Sequence, residues 1–178
     1  KEIVRLKLIS EPHKIEVIYL GLLDNLIFPI QGLDEDIDVL FFGRVELYKG
    51  IDDLLVVCKM LPNYSFWIVG KGDINSVYSK EIDIPHNCTR IDMYVSDKEL
   101  ATYIQRSKII IMPYKDATGS QVISSVFYYS KPIVATNVGC FPEYIGNEDG
   151  GIVVKQGDYL AMKDDIKALM NNPAKRKE

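Results

Sequence analysis

Four short stretches bring together residue types that could hold a phosphorylated ligand. Gly43-Arg44 is followed at short range by Lys49-Gly50. Arginine offers a planar fork to phosphate oxygens, and lysine a mobile point charge. Gly70-Lys71-Gly72 sets two glycines around a cation. It lacks the third glycine of a dinucleotide fingerprint, because Asn75 stands there, and it lacks the Gly-Lys-Ser/Thr ending of a Walker loop. Thr118-Gly119-Ser120-Gln121 carries the hydroxyls of a helix cap, and the amides of such a helix start can also hold phosphate. Val138-Gly139-Cys140-Phe141-Pro142-Glu143 adds a glycine for close backbone approach and a first-turn carboxylate. Each stretch also has a plain structural reading: surface cations beside a turn, a tight turn, a cap, a helix start. Two other patterns carry less. Asp34-Glu35-Asp36-Ile37-Asp38 has D-x-D spacing but precedes the first sheet strand, and reads as a solvated acidic turn. Phe127-Tyr128-Tyr129 lies at helical spacing and reads as packing rather than base stacking.

The elements around these stretches alternate. Val39–Gly43 is a continuous apolar run, as in a strand buried on both faces. Ile51–Leu61 repeats apolar residues at helical spacing, with Asp52 and Asp53 in its first turn and Lys59 in its last. Ser65–Gly70 and Asn87–Asp92 read as strands. Ser96-Asp97-Lys98-Glu99 is a capping box opening a helix. Lys108–Met112 is a strand, Gln121–Tyr129 a helix, Pro132–Thr136 and Gly151–Val154 strands, and Asp158 caps a last helix running to Met170. Repeated strand–helix units predict a parallel sheet covered on both faces, with ligands at the carboxyl ends of the strands. The candidate stretches all fall on that edge.

Composition narrows the classes. The chain of 178 residues is 47% apolar and 26% charged, with a net charge of −4, so it carries no global footprint for nucleic acid. Three widely spaced cysteines and two histidines argue against a disulfide framework or a multi-histidine metal site and fit a reducing cytoplasm. The apolar stretch within Val17–Leu33 is broken by Asp24 and Pro29 and is too short to span a bilayer. No secretory leader is legible at the start, where Lys1 replaces the usual Met.

Taken in order, the pieces resemble the C-terminal domain of the glycosyltransferase group 1 family, retaining enzymes of the GT-B fold. The resemblance runs over residues 12 to 173. It is carried by Pro12–Ile18 with Gly21 and Phe28-Pro29, Phe42-Gly43-Arg44-Val45 with Lys49-Gly50-Ile51-Asp52, and Val69–Gly72. Lys131–Gly139 with Pro142-Glu143, and Gly150–Val154 with Gly157-Asp158, complete it. It implies an α/β, Rossmann-like three-layer domain with a parallel sheet over residues 39–178, after an interdomain segment at 1–38. It implies a donor diphosphate held by Gly43, Arg44 and Lys49 and by the amides of Ser120, Gln121 and Val122. The base and ribose would fall to Gly70, Lys71, Met93, Tyr94, Val95 and Ser125. One departure stands out: most members carry two glutamates where this chain has Ala117 and Ser125, and Ser120-Gln121-Val122-Ile123 resembles a branch that lacks them.

The implied activity is retaining transfer of a hexosyl unit from a nucleoside diphosphate sugar to a glycan or lipid-linked acceptor, with no metal and no cofactor besides the donor. The sequence does not assign the catalytic residues, and the base or positioning residues for the acceptor would come from an N-terminal domain outside this chain. The chain alone is expected to bind nucleotide without transferring sugar. A cytoplasmic setting is implied, with peripheral association at the inner membrane face left open. The rival readings are a non-catalytic sugar-nucleotide-binding module and an epimerase or phosphorylase of the same fold.

Overall fold

The structure, a computed structural model, describes residues 27–117, 121–145 and 150–176. Six strands, β1 (Ile37–Phe42), β2 (Phe66–Val69), β3 (Cys88–Ile91), β4 (Ser107–Met112), β5 (Ile133–Thr136) and β6 (Gly151–Val154), form one sheet in the order β3-β2-β1-β4-β5-β6. Every neighbouring pair is parallel. The flanking helices are α1 (Ile51–Met60), α2 (Ile74–Tyr78), α3 (Asp97–Arg106), α4 (Gln121–Tyr128), α5 (Phe141–Ile145) and α6 (Tyr159–Asn171).

The central strands follow from their unbroken apolar runs. Ile37, Val39, Leu40, Ile109, Ile133 and Val134 are wholly buried, as a sheet covered on both faces requires. The capping box of α3 forms in both directions: Ser96 Oγ accepts from the Glu99 amide, and Glu99 Oε2 accepts from the Ser96 amide. Asp158 caps α6 by accepting from the Ala161 amide. The predicted strands and long helices are all present, with ends shifted by one or two residues. The five-residue helix α2 is not legible in the sequence, because little more than one turn shows no periodicity, whereas α5 lies where Glu143 reads as a first-turn carboxylate.

The amino-terminal edge of the sheet adds detail to the sequence reading. β1 begins at Ile37, two residues before the start expected for the sheet domain, and two described residues before it bond to the sheet and its helices. Tyr129 Oη donates to the Ile27 carbonyl at 2.7 Å, and the Ile30 amide donates to Gln105 Oε1 at 2.6 Å. The acidic run is not merely solvated either. Glu35 pairs with Lys131 at 2.6 Å, Asp36 with Arg106 at 2.5 Å, and Asp38 with Lys108 at 2.7 Å. Asp38 also accepts from the Ser65 amide. Cations from α3, β4 and the start of β5 meet Glu35, Asp36 and Asp38 there.

Strand order reverses between β1 and β4, the chain leaving β1 toward β2 and leaving β4 toward β5. In open parallel sheets a crevice forms at such a switch point, outside the carboxyl ends of the two strands.

Candidate functional site

The loops after β1 and β4 meet at this switch point. After Phe42 the chain turns at Gly43 and makes a short 3₁₀ turn, Leu47–Lys49, before α1 begins. Gly50 has φ 66°, and a side chain there would collide with backbone, its Cβ lying 1.9 Å from the Pro113 carbonyl oxygen. Lys115 returns the contact, its amide donating to the Tyr48 carbonyl at 2.7 Å. The Thr136 hydroxyl, at the end of β5, donates to the Tyr114 carbonyl.

Lys49 is the centre of this arrangement. It is only 9% exposed. Its Nζ donates to Tyr114 Oη at 2.6 Å and stands 4.1 Å from the centre of the Tyr114 ring. A Cβ on Gly43 would lie 3.7 Å from the same Nζ, so the ammonium stands over that glycine. Among the described residues no carboxylate lies within the 4.0 Å of an ion pair. Burial pushes the ammonium down to about 8, against the upward pull of Glu46. Tyr114, 2% exposed, is held by Phe141 at 5.1 Å, Tyr48 at 6.0 Å and Phe41 at 6.4 Å between ring centres.

The other predicted phosphate ligands divide. Arg44 has an exposed side chain and pairs with Glu46 at 3.2 Å. Val122 is half-buried against the core. Gln121 begins α4, while Ser120 lies outside the described residues. Behind these loops Lys115 Nζ pairs with Asp52 at 2.5 Å, and Tyr159 Oη donates to Asp53 at 2.7 Å. Desolvation works against it, yet the Lys115 ammonium keeps the Asp52 carboxyl below its ordinary value. These bonds tie the start of α1 to the loop after β4 and to α6.

Three of the predicted base and ribose residues come together. Lys71, Met93 and Tyr94, with Gly72, Asp73 and Asp92, line an open cavity of about 450 Å³ beyond β2 and β3. Met93 and Tyr94 are 52% and 82% exposed, apolar surface left facing solvent. Asp92 accepts from the Gly72 amide at 2.9 Å, and Arg90 Nη2 donates to the Gly72 carbonyl at 3.0 Å, which fixes the cavity wall. Gly70 is buried beneath the turn, where a Cβ would lie 2.1 Å from the Gly43 carbonyl oxygen. Its close backbone approach is therefore to the neighbouring loop. Val95 packs on the core, and Ser125, half-buried in α4, is not among the residues lining the cavity. Ala117 is buried.

Tyr114 was not singled out from sequence. Its only signal was its place directly after the Pro113 that ends a buried strand, on the ligand edge. Among the described residues no group of three or more histidine, cysteine or acidic side chains is placed to hold a metal ion. No helix there is long and apolar enough to cross a membrane.

A doubly wound parallel sheet with a buried cation at its switch point and an open cavity alongside defines a Rossmann-like α/β domain. The chain belongs to the glycosyltransferase family described as "Glycosyl transferases group 1", which matches residues 24–178. It is 30% identical over 128 residues to an uncharacterized 41.2 kDa protein in the cps region of Klebsiella pneumoniae, covering 70% of this chain and 34% of that one. The fold is similar to that of WaaG, a glycosyltransferase involved in lipopolysaccharide biosynthesis. The TM-score is 0.72 at 13% identity, over 94% of this chain and 50% of that one. It is also similar to Anabaena HepE in complex with UDP, with a TM-score of 0.71 at 16% identity over 80% and 41% of the two chains. The chain spans about a third of the length of the curated relatives it matches. It corresponds to the C-terminal half of a GT-B fold.

Proposed function

We propose that this chain is the donor-binding half of a retaining glycosyltransferase, moving a hexosyl unit from a nucleoside diphosphate sugar to a glycan or lipid-linked acceptor. The observation that carries the reading is Lys49: a buried ammonium at the switch point, seated by a phenol and lacking a carboxylate partner within ion-pairing distance among the described residues. A buried charge is unfavourable without a counter-charge, and a diphosphate arriving over Gly43 supplies one. The base is assigned to the cavity at Lys71, Met93 and Tyr94, and the diphosphate lies between the two places. As the sugar leaves, negative charge grows on the phosphate. Lys49, Arg44 and the amino end of α4 stabilise it there without a metal. The acceptor and its reacting groups fall to another domain, so this chain alone binds nucleotide and transfers nothing. The setting is the cytoplasm, at the inner membrane face where the acceptor is lipid-linked. UDP, GDP, ADP and CMP titrated calorimetrically into this chain test the reading. One of the diphosphates should bind with a dissociation constant in the micromolar range or below, unchanged by a chelator. Absence of binding by all four sinks the proposal, and a strict magnesium requirement sinks its metal-free part.

A further inference from the structure

Lys49 owes its position to a residue on another strand. Its stem emerges from the turn after β1, where Arg44, Glu46 and Tyr48 also lie, and its head is met by Tyr114 from the loop after β4. A lysine head keeps three rotatable donors on a flexible stem, so its direction is set by what accepts from it. Here the acceptor is one phenol oxygen at 2.6 Å, and the Tyr114 ring face adds attraction at 4.1 Å. The ring itself is seated by Phe41, Tyr48 and Phe141, and its carbonyl by Thr136. Groups from the ends of β1, β4 and β5 thus converge on one side chain that aims one ammonium. A carboxylate would aim the ammonium equally well but would repel an incoming diphosphate. A neutral phenol aims it and leaves the net charge in place.

We propose that Tyr114 is a positioning residue for donor capture, holding Lys49 over Gly43 in its charged form through a neutral hydrogen bond. The proposal deepens the donor-site reading and rests on it for its consequence, though the coupling between the two side chains can be measured without any nucleotide. Atoms other than the phenol oxygen are kept in Tyr114→Phe, which preserves the ring and its packing. In chain labelled with ¹³C-lysine, the Lys49 side-chain resonance is assigned by its loss in Lys49→Met and followed against pH. Removing an acceptor that favours the charged form should lower the Lys49 midpoint by about one pH unit. UDP affinity near neutral pH should fall about twofold or more in Tyr114→Phe, the charge fraction lost by a one-unit shift from about 8, and its decline with rising pH should begin correspondingly earlier. A purely structural role for Tyr114 would lower the melting temperature and leave the lysine midpoint where it was. That result overturns the proposal, as does an unchanged UDP affinity in Tyr114→Phe when Lys49→Met weakens it. A shifted midpoint in a chain that binds no nucleoside diphosphate upholds the coupling and overturns the donor-site reading instead.

Discussion

Lys131 and Lys49 are both largely buried, at opposite edges of the same sheet, and they are satisfied in opposite ways. Lys131, at the amino-terminal edge, meets the Glu35 carboxylate at 2.6 Å; its neighbours Arg106 and Lys108 meet Asp36 and Asp38. Lys49, at the carboxyl-terminal edge, meets a phenol. A paired lysine is electrically finished. It closes the sheet's end and has nothing left to offer an anion. A lysine held by a neutral acceptor keeps its charge unbalanced, at a cost in folding free energy that a ligand can reverse. The contrast separates an edge whose buried lysine is ion-paired from an edge whose buried lysine meets only a neutral acceptor.

The largest effect that sharpens this contrast is expected from Lys49→Met. Calorimetry should show UDP binding weakened about tenfold or more, the loss of a charge-assisted hydrogen bond, while the melting temperature holds or rises because a buried unpaired charge is gone. Undiminished affinity would erase the distinction between the edges.

The same lysine gives two opposite pH trends. Burial sets its folded value at about 8, so UDP affinity should fall as pH rises through that value and the ammonium is lost. An unfolded lysine keeps its proton to about 10.4. Between the two values the unfolded chain binds more protons, so the Lys49 contribution to stability should rise with pH. Stability curves of the wild type and Lys49→Met across this window should converge toward high pH; parallel curves would count against the burial argument.

At the paired edge the expected effects are on stability alone. Asp38→Ala removes the acceptor for the Ser65 amide and for Lys108, and should cost about 1–3 kcal/mol in denaturant unfolding with UDP affinity unchanged. The Asp36–Arg106 pair is more exposed, and a double-mutant cycle should return only about 0.2–1 kcal/mol. A change in nucleotide binding from either would show that the two edges are not independent.

A subtler prediction concerns Ser125, where most family members carry a glutamate. A serine hydroxyl accepts more weakly than a carboxylate. Replacing UDP by its 2′-deoxy form should therefore weaken binding by less than about tenfold. A hundredfold loss that persists in Ser125→Ala would place ribose recognition elsewhere.

Much of this was legible in the sequence, for identifiable reasons. Buried parallel strands write themselves as unbroken runs such as Val39–Phe42 and Ile109–Met112, and Ser96 with Glu99 spells its own cap. Lys49 was legible as a cation on the ligand edge but not as a buried one, because its burial depends on Tyr114, 65 positions later. Long-range pairing leaves no local pattern. The acidic run shows the same limit: its spacing was visible, but its partners lie on β4, on α3 and at the start of β5. Gly70 shows a different one, since a glycine between two loops reads the same as a glycine beside a ligand.

Gly50 and Gly139 carry a consequence for the thermodynamics of binding. A methyl group on the first would press on the Pro113 carbonyl oxygen, and on the second would lie 1.5 Å from that of Ala117. At these two points the loops after β1, β4 and β5 therefore lean on one another backbone to backbone. Such loops lose their conformational freedom when the chain folds rather than when a ligand arrives. Nucleotide binding should accordingly show little penalty from ordering the protein, and its heat should vary little between variants that alter only the surfaces of these loops.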